Sequence, residues 1–159
     1  MAYRQILIPL DGSKLSEQAL GQLAHIAAPG AAIQLLSVMA EDAASEVNAL
    51  SRSMAAGHDG SIGWPPIAGV KDPHAADARK EYLNQVKEWL EAAEYEVRVS
   101  IREGNIIDAI LEAAKVNEVI VIASYQKSAA ISHIVGSVAE AITRQSAIPV
   151  MIVPGQRDK

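Results

Sequence analysis

Val119-Ile120-Val121-Ile122-Ala123 is a stretch without a single charge. A strand of that kind has to be covered on both faces, as an interior strand of a helix-covered parallel sheet is. A short apolar run is ambiguous on its own, but here the pattern repeats. Ile6-Leu7-Ile8-Pro9-Leu10 closes on the turn signal Asp11-Gly12-Ser13, and Ile33 to Val38 and Val150-Met151-Ile152-Val153 are further runs. Glu96 to Arg102 alternates instead, with Val97, Val99 and Ile101 on one face and charges on the other, which suits an edge. The chain is 50% apolar but only 4% aromatic and has no Phe, so its core must be aliphatic. Its 159 residues make one domain, 1–159, large enough to bury a core without staples.

Helical spacing fills the intervals. Ser13 is placed to cap a helix carrying Leu20, Leu23, Ala24 and Ala27, with Pro29-Gly30 as its stop. Strand, helix and strand within that length form a right-handed βαβ unit. From Asp77 a helix resumes with Tyr82, Val86, Trp89 and Ala93 on one face, and Lys80, Glu81, Lys87, Glu88 and Glu91 toward water. Asn105 is a cap for a helix with Ile107, Ile110, Leu111 and Ala114, and Ser137 to Gln145 forms the last helix through Val138, Ala141 and Ile142. Pro149 stands at the start of the final strand, where a missing N–H is tolerated. Between them, about 40–76, an insertion breaks the rhythm: a short helix within Asp42 to Ala56, then irregular chain around Trp64-Pro65-Pro66. Its apolar Trp64, Pro65 and Ile67 suit packing on the domain's own helices or a cover over a crevice or neighbouring subunit.

Five strands alternating with four helices predict an α/β fold with an open, doubly wound, five-stranded parallel sheet. The least polar strands belong inside and the half-polar third at an edge, which the order 3-2-1-4-5 satisfies. That order puts the topological switch between strands 1 and 4, where ligands of such sheets bind at the carboxyl ends. Pro9 to Ser13 and Ala123 to Ser137 meet there.

Several function classes drop out. With no Cys there are no disulfides, no thiolate chemistry and no Cys-ligated zinc. A net charge of −5 without a basic stripe argues against nucleic acid as a partner. No run approaches the roughly 20 apolar residues of a membrane span, and the first apolar run starts at Ile6 without a secretory leader, so a cytoplasmic protein off the membrane is expected. His58-Asp59 and Asp72, His74 and Asp77 lack metal-ligand spacing, so no metal site is assigned. His25 and His133 suit surface or half-buried positions better than catalytic ones. No nucleophile elbow, Walker loop or carboxylate pair is present, so no catalytic residue is assigned.

Asp11 fits two roles: an acceptor for ribose hydroxyls or an adenine amine, or simply a turn former. Gly136-Ser137 opens a helix, where free N–H groups hold a phosphate or Ser137 serves as an N-cap. The stretch from Ala123 to Ser137 resembles the signature of the universal stress protein family: Gly, two residues, Gly, nine residues, then Gly-Ser or Gly-Thr. The spacing lands on Ala123, Gln126, Gly136 and Ser137. Asp11-Gly12-Ser13, Gly136-Ser137-Val138-Ala139-Glu140 and Pro149-Val150 fit as well.

The resemblance implies a Rossmann-like fold of the adenine nucleotide alpha hydrolase type, with Mg-ATP or AMP in the crevice. Asp11, in the loop with Ser13, would meet the ribose, and Pro9 and Val38 would flank the adenine. The loop from Ala123 through Gln126 and Lys127, with Gly136, Ser137 and Val138, would hold phosphates. Ala123 and Gln126 replace two of the three signature glycines. Forcing an L-residue into a left-handed conformation costs roughly 1–2 kcal/mol, and about 1.4 kcal/mol is tenfold in affinity. Nucleotide binding is therefore expected to be weak or lost, and AMP or ADP is favoured over ATP. Lys127 either pairs with a phosphate or stays solvated.

The expectation is a non-enzymatic stress-response or signalling module working through an unidentified protein partner. The alternative is an ATP- or AMP-binding stress protein with slow ATP hydrolysis, against which stands the lack of a second carboxylate near Asp11. A response regulator would need clustered acids at the strand ends, and a flavodoxin more rings than Tyr125. Val150, Met151, Ile152 and Val153 form an uncharged edge, unlike the edge guarded by Glu96, Arg98 and Arg102. Exposed apolar edges find partners, so a two-fold homodimer through the last strand is expected, as the resemblance also implies.

Overall fold

The computed structural model describes residues 2–12, 14–39, 75–125 and 137–155. In chain order these form β1 (Tyr3–Pro9), α1 (Lys14–Glu17), a 3-10 segment (Gln18–Gln22), α2 (Leu23–Ile26) and β2 (Ala27–Met39). There follow α3 (Ala75–Ala92), β3 (Glu96–Glu103), α4 (Ile106–Ala114), β4 (Val119–Tyr125), α5 (Ser137–Gln145) and β5 (Val150–Gly155). The five strands form one parallel sheet in the order β3-β2-β1-β4-β5. The switch point thus falls between β1 and β4, as the charge pattern of the strands predicts.

Each face of the sheet builds its own core. Ile6, Ile8 and Leu10 of β1 and its end, with Ile33, Leu35, Val119 and Val121, pack under Leu20, Leu23, Leu83 and Leu90. Leu7, Leu36, Val38 and Ile120 point the other way, onto Ile106, Ile110 and Ile142 of α4 and α5. Ile6 to Leu10 is buried throughout, the result of covering an uncharged strand on both sides. Buried polar groups pin the layers. Asn117 Nδ2 donates to Gln34 Oε1 and to the Ala113 carbonyl, each at 2.8 Å, and Gln34 Nε2 donates to Ser100 Oγ at 3.2 Å. The chain links β3, β2 and the turn before β4. The expected cap is in place: Asn105 Oδ1 accepts from the Asp108 N–H at 3.0 Å and starts α4.

Two expectations are corrected. Pro29-Gly30 does not end a helix. The helical stretch breaks up at the 3-10 segment, which contains Gly21, and stops at Ile26; Ala27 is already extended and Ala24 is exposed. Pro29 and Gly30 lie inside β2, where the pairing jumps from Tyr3↔Ala27 to Gln5↔Ala32. A bulge tolerates a residue without N–H and one with φ of +70°, the value at Gly30. On α3 the buried stripe is turned from the expected one. Leu83 and Leu90 are buried, Tyr82 and Val86 are half-buried, Trp89 is 60% exposed, and Ala93 lies beyond the helix, exposed. The two stripes share Val86, and the sheet takes the one that presents leucines. The insertion falls outside the described residues, apart from its last two, which open α3.

Candidate nucleotide crevice at the carboxyl ends of β1 and β4

The strands β1 and β4 start together and then part. Glu118 N donates to the Gln5 carbonyl at 2.8 Å, and its carboxylate accepts from Arg4 N at 2.7 Å. Register pairs follow at Ile6↔Val119 and Leu7↔Ile120 and go no further. On the outer sides pairing continues: β2 accompanies β1 to Pro9↔Leu36, and β5 accompanies β4 to Tyr125↔Gly155. Pro9 has no N–H to give to β4, which helps end that ladder. The sheet therefore splits at the switch point, at its carboxyl edge.

Asp11 closes the β1 side of the split. Leu10 N donates to the Leu36 carbonyl at 2.8 Å, and Asp11, the next residue, is only 7% exposed and is engaged in polar contact. Gly12 then turns the chain into α1 with φ of +86°, a left-handed value that disfavours any side chain. Pro9 is buried, and Val38, at 3% exposure, belongs to the core under α4 and α5. Across the split, Ala123 is half-buried and paired with Val153, and Ser124 is buried. Ser137 starts α5 and Val138 packs against the α4–α5 core. Ser13, Gln126, Lys127 and Gly136 lie outside the described residues. β5 is one of the two edge strands: Val150, Met151 and Ile152 are half-buried and Val153 is buried within the one chain.

Four further side chains gather here that motif reading misses. Arg79 of α3 donates from Nη1 to Ser37 Oγ at 2.8 Å, and Ser37 has no exposure at all. One turn along α3, the Tyr82 hydroxyl donates to Glu17 Oε1 at 2.7 Å. Burial first, then the Glu17 hydrogen bond and the charges of Glu17 and Asp11, push the Tyr82 phenol well above its ordinary value, with Arg79 opposing. Asp11, Glu17, Arg79 and Tyr82 thus share one electrostatic neighbourhood. A topological signal for Arg79 existed: a helix returning across a parallel sheet begins at the carboxyl edge, so a cation in its first turns is delivered there. Among the described residues, no group of three His, Asp or Glu is placed to hold a metal, and no helix is long and apolar enough to cross a membrane.

Solved structures share this architecture. The hypothetical protein MJ0577 superposes with a TM-score of 0.71 at 22% identity, over 99% of this chain and 100% of that one. Universal stress protein UspA from Lactobacillus plantarum gives a TM-score of 0.65 at 17% identity, over 96% and 99%. A universal stress protein in complex with cAMP gives 0.62 at 19%, over 97% and 98%. At these identities the likeness is one of fold. None of the curated proteins matches the chain significantly in sequence. The model of the universal stress protein family, however, matches residues 2–154, nearly the whole chain, and by that match the chain belongs to the universal stress protein family.

Proposed function

We propose that the split between β1 and β4 takes an adenine nucleotide weakly, AMP or ADP in preference to ATP, in a stress-response or signalling module that is not an enzyme. What carries this reading is the buried carboxylate of Asp11 at the edge of a sheet that opens only there. In it Asp11, beside Ser13, accepts from the ribose, and Pro9 and Val38 border the base. Lys127, Gly136, Ser137 and Val138 face the phosphates, opposite Ala123 and Gln126. A universal stress protein of similar fold solved with cAMP supports the adenine nucleotide as the ligand class. No residue is assigned to Mg, which with ATP would travel on the phosphates. Two copies pair along β5, and a cytoplasmic protein partner reads the assembly.

Calorimetry on protein first stripped of ligand tests it. AMP and ADP bind more tightly than ATP, and Asp11→Ala weakens all three. A micromolar dissociation constant for ATP overturns the preference. Slow ATP hydrolysis is the second reading, favoured by Glu17: its carboxylate and that of Asp11 both act on Tyr82, so Asp11 is not the single acid of the neighbourhood. Phosphate release above background, abolished by Asp11→Ala, would establish it.

A further inference from the structure

The geometry points to Arg79 and Ser37 as a phosphate-binding subsite on the β2 side of Asp11. This rests on the reading of the crevice given above and adds a group on the side away from the glycine signature. Ser37 follows Leu36, the last β2 residue paired with β1, so it stands beside the Leu10–Asp11 turn. Its hydroxyl is completely buried and spent on Arg79. Arg79 is half-buried, and among the described residues it forms no ion pair; the ion pairs there are Lys87–Glu91, Lys115–Glu112 and Arg144–Glu140, all exposed. Of the nearby acids, Glu17 accepts from the Tyr82 hydroxyl and Asp11 is itself engaged in polar contact.

A half-buried cation held in no direct ion pair keeps donors that an incoming anion can satisfy. Arginine suits the task because its five donors lie in a rigid plane that matches two phosphate oxygens at once. Ser37 uses one Nη1 donor and fixes the plane, which leaves an edge of the fork for the ligand. The placement also fits the departures at Ala123 and Gln126. They weaken the phosphate cradle on the β4 side, and Arg79 provides a cation on the other. A phosphate close to the sugar then gains most, and a long triphosphate directed toward α5 gains least.

The test uses the full-length chain, stripped of ligand, as wild type, Arg79→Gln, Arg79→Lys and Ser37→Ala. Calorimetry is run with adenosine, AMP and inorganic phosphate, and the guanidinium resonance of Arg79 is followed by NMR as phosphate is added. Arg79→Gln is expected to weaken AMP at least tenfold and adenosine less than twofold, with Arg79→Lys recovering part of the loss. Phosphate should shift the Arg79 resonance saturably, and less so in Ser37→Ala. AMP binding at least tenfold tighter than phosphate assigns the subsite to a nucleotide phosphate, and comparable affinities assign it to the free anion. An equal loss for AMP and adenosine, or an Arg79 resonance that phosphate does not move, overturns the subsite. Asp11→Asn separates the two ideas: if it leaves adenosine binding untouched, the crevice reading fails, while the phosphate titration still decides Arg79.

Discussion

Tyr82 carries the clearest chemical signature of any single residue. Its phenol is half-buried and donates to Glu17, so ionising it means losing the hydrogen bond and setting an anion beside Glu17 and Asp11. The folded value therefore lies above the unfolded one of about 10. The sign follows from linkage: this contribution to stability is complete below about pH 10 and fades as pH rises toward the folded value. In an absorbance titration of the four tyrosines, one phenol should ionise after the others, and Tyr82→Phe should remove that late phase. A titration in which all four ionise together contradicts the burial described for it. At the same scale, Asn105→Ala should lower stability by about 1 kcal/mol, read from a denaturant midpoint, because the Asp108 N–H in the first turn of α4 loses its acceptor. Asp11 and Asn105 were legible in the sequence, since an acid behind an apolar run and an Asn before a helical pattern act locally. Arg79 and Ser37 were not. They lie 42 positions apart, and only the path of α3 across the sheet brings them into contact.

Among elements, the strands were legible because an uncharged run has few places to go except the interior of a covered sheet. The helices were less so, and α3 shows why. Tyr82-Val86-Trp89 and Leu83-Val86-Leu90 are both helical stripes, and spacing alone does not choose between them. Packing chooses: Leu83 is fully buried while Trp89 is 60% exposed. Leu83→Ala should therefore cost about 2–5 kcal/mol in chemical denaturation, whereas Trp89→Ala should stay within about 0.5 kcal/mol. Reversed costs would mean that the expected stripe was right after all. Pro29-Gly30 misleads in a similar way, because the same two residues that stop a helix also shape a bulge. The break between βα units is seen, but not which element owns it.

For the whole molecule, the order β3-β2-β1-β4-β5 followed from which strands tolerate charge, and the candidate site is proposed from that order. What the sequence does not carry is the depth of the crevice, which depends on where the β1–β4 ladder stops. Assembly is likewise set at this scale. With β5 outermost, pairing across a two-fold axis through Val150 to Val153 predicts a dimer that Met151→Lys converts to monomers in sedimentation velocity. Val153 is the poorer probe, since it is 7% exposed within one chain and a lysine there would disrupt the core. An unchanged sedimentation profile for Met151→Lys counts against the β5 seam.

On the reading proposed above, an adenine nucleotide enters where β1 and β4 part. The decisive measurement titrates the protein with AMP while every backbone amide is followed by 15N–1H NMR. Saturable shifts are expected at Leu10 to Gly12, Ala123 to Tyr125 and Ser137–Val138, with β3 and the amino ends of the strands unmoved. Shifts confined to another surface, or none at millimolar AMP, would contradict it.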